Sequence, residues 1–402
     1  MLNTSENKYI KFIKKWKYDL PNKNVLFDYK HICNDLLYQK EEILQETVNL
    51  LKTNIDLWAK KNSKIYEFKN QIINKENLLN KKTWYVDEMK NESAKMKTSG
   101  STSKPFYYLR WNYFLDFIEC ENHYNLVLNE FNIKDNFNLM YFFDNEIYSK
   151  TKKITVNKNP KNFMEKHGTK NAIVHYVNFS LLQKSIGSFY KFIISYCIKN
   201  NIDVIYCPGS VTNSLCHYIK KYKIKNKICN LLSNSYEQIL KSDIDFLIEN
   251  NIVNNVCNHM RCWDGGATFF TCKYNTYHLL DNLSWCDEYE NKLISTDYFS
   301  FPSPFVNYWN GDYCEIKSNY KRCECGRLYR PFKFLQSRPF AIKGYIVHDI
   351  YNNLIKLEIN SIKQIKCDYN NIIIISNKEI ELEKKNIMKK QFEKINFKFI
   401  VE

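Results

Sequence analysis

Glycine is scarce in this chain. Nine occur in 402 residues, where average usage of about 7% would give roughly 28. Each survivor is expected where no side chain fits, in turns of positive φ or at close backbone approaches. Gly100, Gly209, Gly265, Gly266, Gly311, Gly326 and Gly344 all fall in short stretches that other features also single out. Long apolar runs are missing too. No stretch reaches the roughly 18 uncharged apolar residues of a membrane span, so no membrane crossing is expected. The start, Met1-Leu2-Asn3-Thr4-Ser5-Glu6, is polar and has no leader core, which predicts a soluble, cytoplasmic protein. The fourteen cysteines are scattered through a long chain, which excludes the dense disulfide framework of a small secreted domain. Reduced thiols with a local metal cluster fit better.

The net charge is +16, yet the basic residues are dispersed and no RNA or DNA motif accompanies them. Lys, Asn, Ile and Tyr are abundant from end to end, a bias that an A/T-rich coding sequence explains. A nucleic-acid partner is therefore disfavoured, and anionic phosphates of a small ligand offer another use for the charge. With 44% hydrophobic residues, the length suits one large domain plus a smaller one.

Residues 1 to about 95 read as helical, with Ile43, Leu44, Val48, Leu50, Leu51 and Leu57 at helical spacing. Strand-like Phe106-Tyr107-Tyr108-Leu109 follows, then an aromatic amphipathic stretch from Trp111 to Phe131. Further on, Leu139–Phe143 reads as a buried strand and 150–162 as a Lys/Asn-rich turn region. Helices over 181–198, 211–221 and 236–250 alternate with strands over 204–207, 227–232 and 252–253. That alternation predicts an α/β architecture with largely parallel pairing. The end of the chain reads as strand 371–376, helix 379–394 and strand 397–401, a small α+β piece.

Four stretches carry candidate chemistry. Thr98-Ser99-Gly100-Ser101-Thr102-Ser103-Lys104-Pro105 is rich in hydroxyls with one glycine and one lysine. Consecutive N–H groups in such a turn form an anion nest, and Lys104 adds charge; a surface linker is the plainer alternative. Walker A spacing is absent. Next, Asn258-His259-Met260-Arg261-Cys262-Trp263-Asp264-Gly265-Gly266 offers Asp264 as the nearby carboxylate for a hard cation, or as the cap of a turn. Cys272, His278, Cys323 and Cys325, as C-x5-H and C-x-C-G, suit tetrahedral Zn2+, unless they are unrelated thiols of a cysteine-rich chain. Finally, Phe305-Val306-Asn307-Tyr308-Trp309-Asn310-Gly311-Asp312 ends an apolar run in Gly-Asp, a pair common in turns.

Taken together these stretches resemble the adenylate-forming (ANL) superfamily, nearest its phenylacetate-CoA ligase-like and capsule-biosynthesis members. Residues 98–105 resemble the T-S-G-[ST]-T-G-x-P loop that holds the β- and γ-phosphates of ATP, with Ser103 in place of the second glycine. Residues 258–262 stand where that family has Y-G-x-[ST]-E, so Asn258 replaces the tyrosine beside the adenine and Cys262 the Mg2+-holding glutamate. The cysteine and histidine pattern resembles a structural zinc site of the phenylacetate-CoA ligase-like proteins. Residues 306–312 resemble [IV]-R-Y-x-T-G-D, whose aspartate accepts both ribose hydroxyls, with Asn307 for arginine and Asn310 for threonine. Ser337-Arg338-Pro339-Phe340-Ala341-Ile342-Lys343-Gly344 resembles the hinge segment G-R-x-[DE]-x-[IV]-K-x-x-G.

The resemblance implies a large multi-layer adenylation domain over 1–337, including an N-terminal helical section and the zinc site, and a shortened α+β domain over 338–402. It implies that Thr98, Ser99, Gly100, Ser101, Thr102, Lys104, Asp312 and Arg338 bind nucleotide, with Lys104 and Asp264 catalytic and Asp264 on Mg2+. The implied reaction is carboxylic acid plus ATP giving an acyl-adenylate, then transfer to a thiol or amine: coenzyme A, a carrier protein or an amino sugar. The sequence ends before the family's terminal Gly-Lys segment, and together with Cys262 this keeps open a second class, a nucleotide-binding or scaffold protein that has lost the chemistry.

Overall fold

A computed structural model describes residues 33, 35–63, 72–79, 86–97, 107–112, 125–143, 154–157, 172–178, 186–235, 239, 241–261, 265–336, 341–342, 345–346, 354, 357, 359, 362–367, 371–392 and 396–401. The chain divides into two units by its internal contacts. The first comprises Met1–Lys134, Lys161–Asn171 and His259–Ser337, and the second Asp135–Pro160, Ala172–Asn258 and Arg338–Glu402.

In the first unit the longest helix among the described residues is Glu41–Asn62. Glu41 and Glu42 in its first turn and Lys60 and Lys61 in its last oppose the helix dipole at both ends. Leu44, Val48, Leu51, Ile55 and Trp58 are buried at the three-and-four spacing of one face. Trp58 donates through Nε1 to the Phe301 carbonyl at 3.2 Å and meets the Phe301 ring edge-on at 5.5 Å. The unit's main sheet places Lys292–Asp297 between Ser284–Tyr289 and Tyr308–Ile316, with Ile73–Asn74 and Phe332–Gln336 also paired to the last of these. A separate antiparallel pair, Ser93–Lys97 with Tyr107–Trp111, closes at Lys97 opposite Tyr107.

Among the described residues, three buried guanidinium–carboxylate pairs knit the unit together: Arg110 with Asp297, Arg327 with Glu130, and Arg330 with Asp281. Arg330 is the most completely bound. Its Nε donates to Asp281 Oδ2 at 3.0 Å, and its Nη2 donates to Asp281 Oδ1 at 2.6 Å and to the Cys286 carbonyl at 2.7 Å. The guanidinium also lies 3.7 Å from the Trp285 ring centroid, so its charge is met on its edge and its face.

The second unit is built around a mostly parallel sheet. In spatial order its strands are Val253–Arg261, Cys229–Ser235, Val204–Pro208, Phe137–Phe143 and Ala172–Asn178, all parallel, with Ile154–Asn157 antiparallel at the edge. Helices Ile186–Lys199, Gly209–Tyr222 and Lys241–Glu249 supply Ile193, Leu215, Ile219 and Leu247 to a core shared with Met140, Ile205 and Leu232. At the C-terminal end, Asn371–Ser376 lies between antiparallel Ile362–Cys367 and parallel Asn396–Val401. With helix Leu382–Gln391 in the crossover, this piece has its own core of Leu354, Ile372, Ile374, Met388 and Phe392. Among the described residues, no helix is long and apolar enough to cross a membrane.

The mixed α/β expectation holds, and the main differences are local. The N-terminal section is helical at 41–62 but turns to strand at Ile73–Asn74 and Ser93–Lys97, where pairing with Tyr308 and with Tyr107–Trp111 overrides helix propensity. Trp111, the first residue of the aromatic stretch, is the last residue of the strand Tyr107–Trp111. Within the expected turn region 150–162, Ile154 and Val156 alternate along an edge strand, a two-residue period hidden by the flanking Lys and Asn.

Candidate functional site

Two hairpins of the first unit bring the four expected metal ligands together. In one, Thr268–Thr271 pairs with Tyr277–Leu279, setting Phe270 opposite His278. The intervening turn closes with Asn275 N–H donating to the Cys272 carbonyl at 2.8 Å, and Asn275 adopts φ 58°. In the other, Lys321–Arg322 pairs with Leu328–Tyr329. Its turn closes with Gly326 N–H on the Cys323 carbonyl at 2.8 Å, and Gly326 takes φ 88°. Each turn thus ends on a left-handed residue of the type that tolerates it, asparagine or glycine.

The ligand atoms of Cys272, His278, Cys323 and Cys325 all lie within 4.8 Å of one another. Cys272 and Cys323 stand 3.7 Å apart sulfur to sulfur, and Cys325 Sγ is 3.4 Å from His278 Nε2. Around one tetrahedral ion with metal–sulfur bonds of about 2.3 Å and metal–nitrogen bonds of about 2.0 Å, these separations would be about 3.8 and 3.5 Å. Both separations therefore match a zinc-sized tetrahedral ion, and the donor types suit one. Cys272, His278 and Cys323 are buried and Cys325 is half-buried.

The electrostatics of the cluster follow from that crowding. The hydrogen bond with Cys272 is the main cause that holds the Cys325 thiol down to about 3, with His278 adding to it against the opposing effect of burial. The same hydrogen bond, then burial, pushes Cys272 up. Thiolates are the metal-ligating form of cysteine, so a divalent cation would displace the thiol protons of the cluster. Backbone N–H groups also aim at the sulfurs, from Thr276 and Tyr274 to Cys272 and from Arg327 to Cys325. The His278 ring stacks on Phe270 at 5.4 Å, and its Nδ1 has no hydrogen-bond partner among the described residues.

Glu130, at the end of helix Asn125–Glu130, buckles the two turns. Its Oε1 accepts the Lys273 N–H at 3.2 Å and its Oε2 accepts Arg327 Nη1 at 2.5 Å. Nothing in the sequence pattern singles this residue out, because a lone carboxylate at a helix end is ordinary.

Asp312 sits on strand Tyr308–Ile316 at an irregularity opposite Lys292–Asp297, where the register shifts between Lys292 and Ile294 and Gly311 adopts φ 100°. It is 3% exposed. Asn310 clasps it twice: Nδ2 donates to Asp312 Oδ2 at 2.7 Å, and Oδ1 accepts the Asp312 N–H at 2.9 Å. The adjoining Gly265 and Gly266 are true close approaches. A Cβ there would come within 2.5 Å of the Tyr308 ring and of Asp297 Cβ respectively.

In the second unit, buried polar groups line the carboxyl ends of three neighbouring parallel strands. Cys207 Sγ lies 3.2 Å from Thr212 Oγ1, which donates to Asn234 Oδ1 at 3.4 Å, and Asn234 Nδ2 donates to Asn258 Oδ1 at 3.0 Å. Carboxyl ends of parallel strands are where α/β sheets receive ligands. Of the other expected residues, Thr98, Ser99, Gly100, Ser101, Thr102, Lys104, Asp264 and Arg338 lie outside the described residues. The strands Ser93–Lys97 and Tyr107–Trp111 that flank 98–105 in sequence are paired with one another.

No protein-family model and no curated protein matches the sequence. Solved structures do. A structure of 2-hydroxyisobutyryl-CoA ligase in the postadenylation state with a bound adenylate superposes with a TM-score of 0.59 at 9% identity, over 92% of this chain and 88% of that one. The same ligase with adenylate and CoA in its thioesterification state gives 0.58 at 8% identity, over 91% and 88%. This chain has the fold of the adenylate-forming superfamily.

Proposed function

We propose that the protein is an adenylate-forming ligase of the phenylacetate-CoA ligase-like kind. A carboxylate oxygen of the substrate acid attacks the α-phosphorus of ATP, the α–β phosphoanhydride breaks, and pyrophosphate leaves. A thiol or amine then attacks the acyl carbon of the adenylate and AMP departs. One observation carries this function: an adenylate-forming fold over 92% of the chain. The ligase it resembles is described with adenylate and with CoA, which favours a thiol such as coenzyme A as acceptor, with a carrier protein or an amino sugar as the other candidates.

The residues divide the work by chemistry. The hydroxyls and N–H groups of 98–102, with Lys104, would cradle the leaving phosphates, joined by Arg338 at the nucleotide. Asp312, held by Asn310, would accept the ribose hydroxyls as an ionised carboxylate. Asp264 would hold Mg2+, whose charge offsets that of the phosphates. Positioning and charge neutralisation supply the rate. Zinc on Cys272, His278, Cys323 and Cys325 would be structural, because four protein ligands leave no open position for substrate.

The second reading, a nucleotide-binding or scaffold protein without the chemistry, draws on Asn258, whose carboxamide is tied to Asn234 where the family places an adenine-side tyrosine. Pyrophosphate exchange with a panel of carboxylic acids separates the two. An active protein exchanges label only with its acid, and Asp264→Asn slows exchange at least tenfold, about 1.4 kcal/mol of transition-state stabilisation, with ATP affinity far less affected. Unchanged exchange in the variant removes Asp264 from the mechanism. ATP binding without exchange on any acid favours the second reading.

A further inference from the structure

The cysteine-bearing hairpin does more than present sulfur: it is also the seat of the segment that leads into the N-terminal helix. The Leu328 N–H donates to the Leu37 carbonyl at 2.7 Å. Arg322 reaches two more carbonyls of the same segment, Tyr38 at 3.4 Å through Nη1 and Gln39 at 2.9 Å through Nη2. The same Nη1 donates at 2.7 Å to the carbonyl of Gly326, the turn glycine itself. Tyr38 lies against that glycine, where an added Cβ would stand 3.4 Å from its ring, and the Arg327 guanidinium lies 5.0 Å from the Tyr38 ring centroid. Asn282 completes the seat by donating through Nδ2 to the Cys33 carbonyl at 3.1 Å.

Three of these four anchored carbonyls are gripped by residues 322 and 328, the last and first residues of strands only two residues long, Lys321–Arg322 and Leu328–Tyr329. An isolated two-stranded hairpin is marginal in water even at greater length. Two things hold its turn: the clasp of Arg327 on Glu130, and the convergence of Cys323 and Cys325 with Cys272 and His278 of the other hairpin. We propose that metal occupancy of this cluster controls the docking of Cys33 and residues 35–39, so that loss of the ion loosens the hairpin and releases the strap while the rest of the fold persists. This rests on the four-ligand metal site proposed above. Helix Glu41–Asn62 keeps its own buried face, including Leu44, Val48, Leu51 and Ile55, so release should stop near residue 40.

Hydrogen–deuterium exchange of the full chain tests this, comparing zinc-loaded protein with the same protein after removal of zinc by a chelator under reducing conditions. Amides in 35–39 and 321–329 should exchange at least tenfold faster without zinc, while helices Glu41–Asn62 and Gly209–Tyr222 stay protected. Arg322→Ala should speed exchange at 35–39 in the zinc-loaded protein while zinc content stays at one per chain. If 321–329 loosens on zinc removal and 35–39 does not, the coupling is refuted and the metal site stands. Faster exchange throughout Gly209–Tyr222 as well means global unfolding and refutes a local release. A reduced protein that takes up no zinc overturns the metal site and this coupling together.

Discussion

Replacing Cys323 and Cys325 together by serine removes two of the four donors that converge within 4.8 Å, and the remaining thiol and imidazole cannot complete a tetrahedral shell. The wild-type chain should carry about one zinc and the variant none. The stability change follows from mass action: an ion present at about a thousandfold over its dissociation constant stabilises the native state by about 4.1 kcal/mol. Unfolding entropy of about 2.1 cal/mol/K per residue, taken over 402 residues, comes to about 0.8 kcal/mol per kelvin. The melting temperature should therefore fall by about 5 °C, and by more if the first unit melts on its own. Elemental analysis reads the first quantity and differential scanning fluorimetry, with and without chelator, the second. Freshly reduced wild-type protein that holds no zinc, gains none on incubation with it and melts at the same temperature in chelator would refute the structural role of the cluster.

Three further outcomes are expected. Asp312→Asn keeps an acceptor for Asn310 Nδ2 and removes the anionic acceptor for ribose, so calorimetry should show ATP binding at least tenfold weaker, with the difference much reduced for ATP lacking its ribose hydroxyls; equal affinity would take Asp312 out of the site. Asp281→Asn strands the charge of Arg330, whose side chain is 1% exposed, and should cost about 3–5 kcal/mol in urea denaturation, whereas a loss under about 1 kcal/mol would show that the pair is not desolvated. Burial lowers the pKa of His175 from its ordinary 6.5, so below about pH 6.5 the unfolded chain binds the proton first and stability declines as pH falls, by at most about 1.4 kcal/mol per pH unit. His175→Gln should flatten that part of the profile, and an unchanged slope would assign it to other groups.

The convergence of Cys272, His278, Cys323 and Cys325 was legible in the sequence because these groups are chemically distinctive and closely spaced, and because a chain with nine glycines had placed one directly after Cys325. The stretch ending in Gly311-Asp312 stands out in the sequence by its place between the two Cys/His pairs, but the clasp of Asn310 on Asp312 does not, since an asparagine two residues before an aspartate carries no pattern. Glu130, Arg322 and Arg327 were illegible for a different reason. Each is an ordinary surface-type residue whose role depends on a partner far away in sequence, 197 residues in the case of Glu130 and Arg327. The α/β alternation of the second unit was readable from its apolar runs, whereas Ile154–Asn157 escaped because four residues among lysines and asparagines give too short a period-two signal.

The interruption of the first unit by the second sets an order of events during synthesis. Residues up to Lys134 leave the ribosome without Asp297, Phe301 and Asp281, so Arg110 emerges long before its carboxylate, 187 residues later, and Trp58 waits for a carbonyl 243 residues on. Among the described residues, the five parallel strands that begin at Phe137 pair, by contrast, with one another and with Ile154–Asn157, and the last of them, Val253–Arg261, takes one later partner, Thr268–Thr271. That sheet can therefore assemble while the N-terminal segments are still without partners. The exposed apolar face of Glu41–Asn62 would during this time be a target for chaperones, which bind such surfaces on incomplete chains.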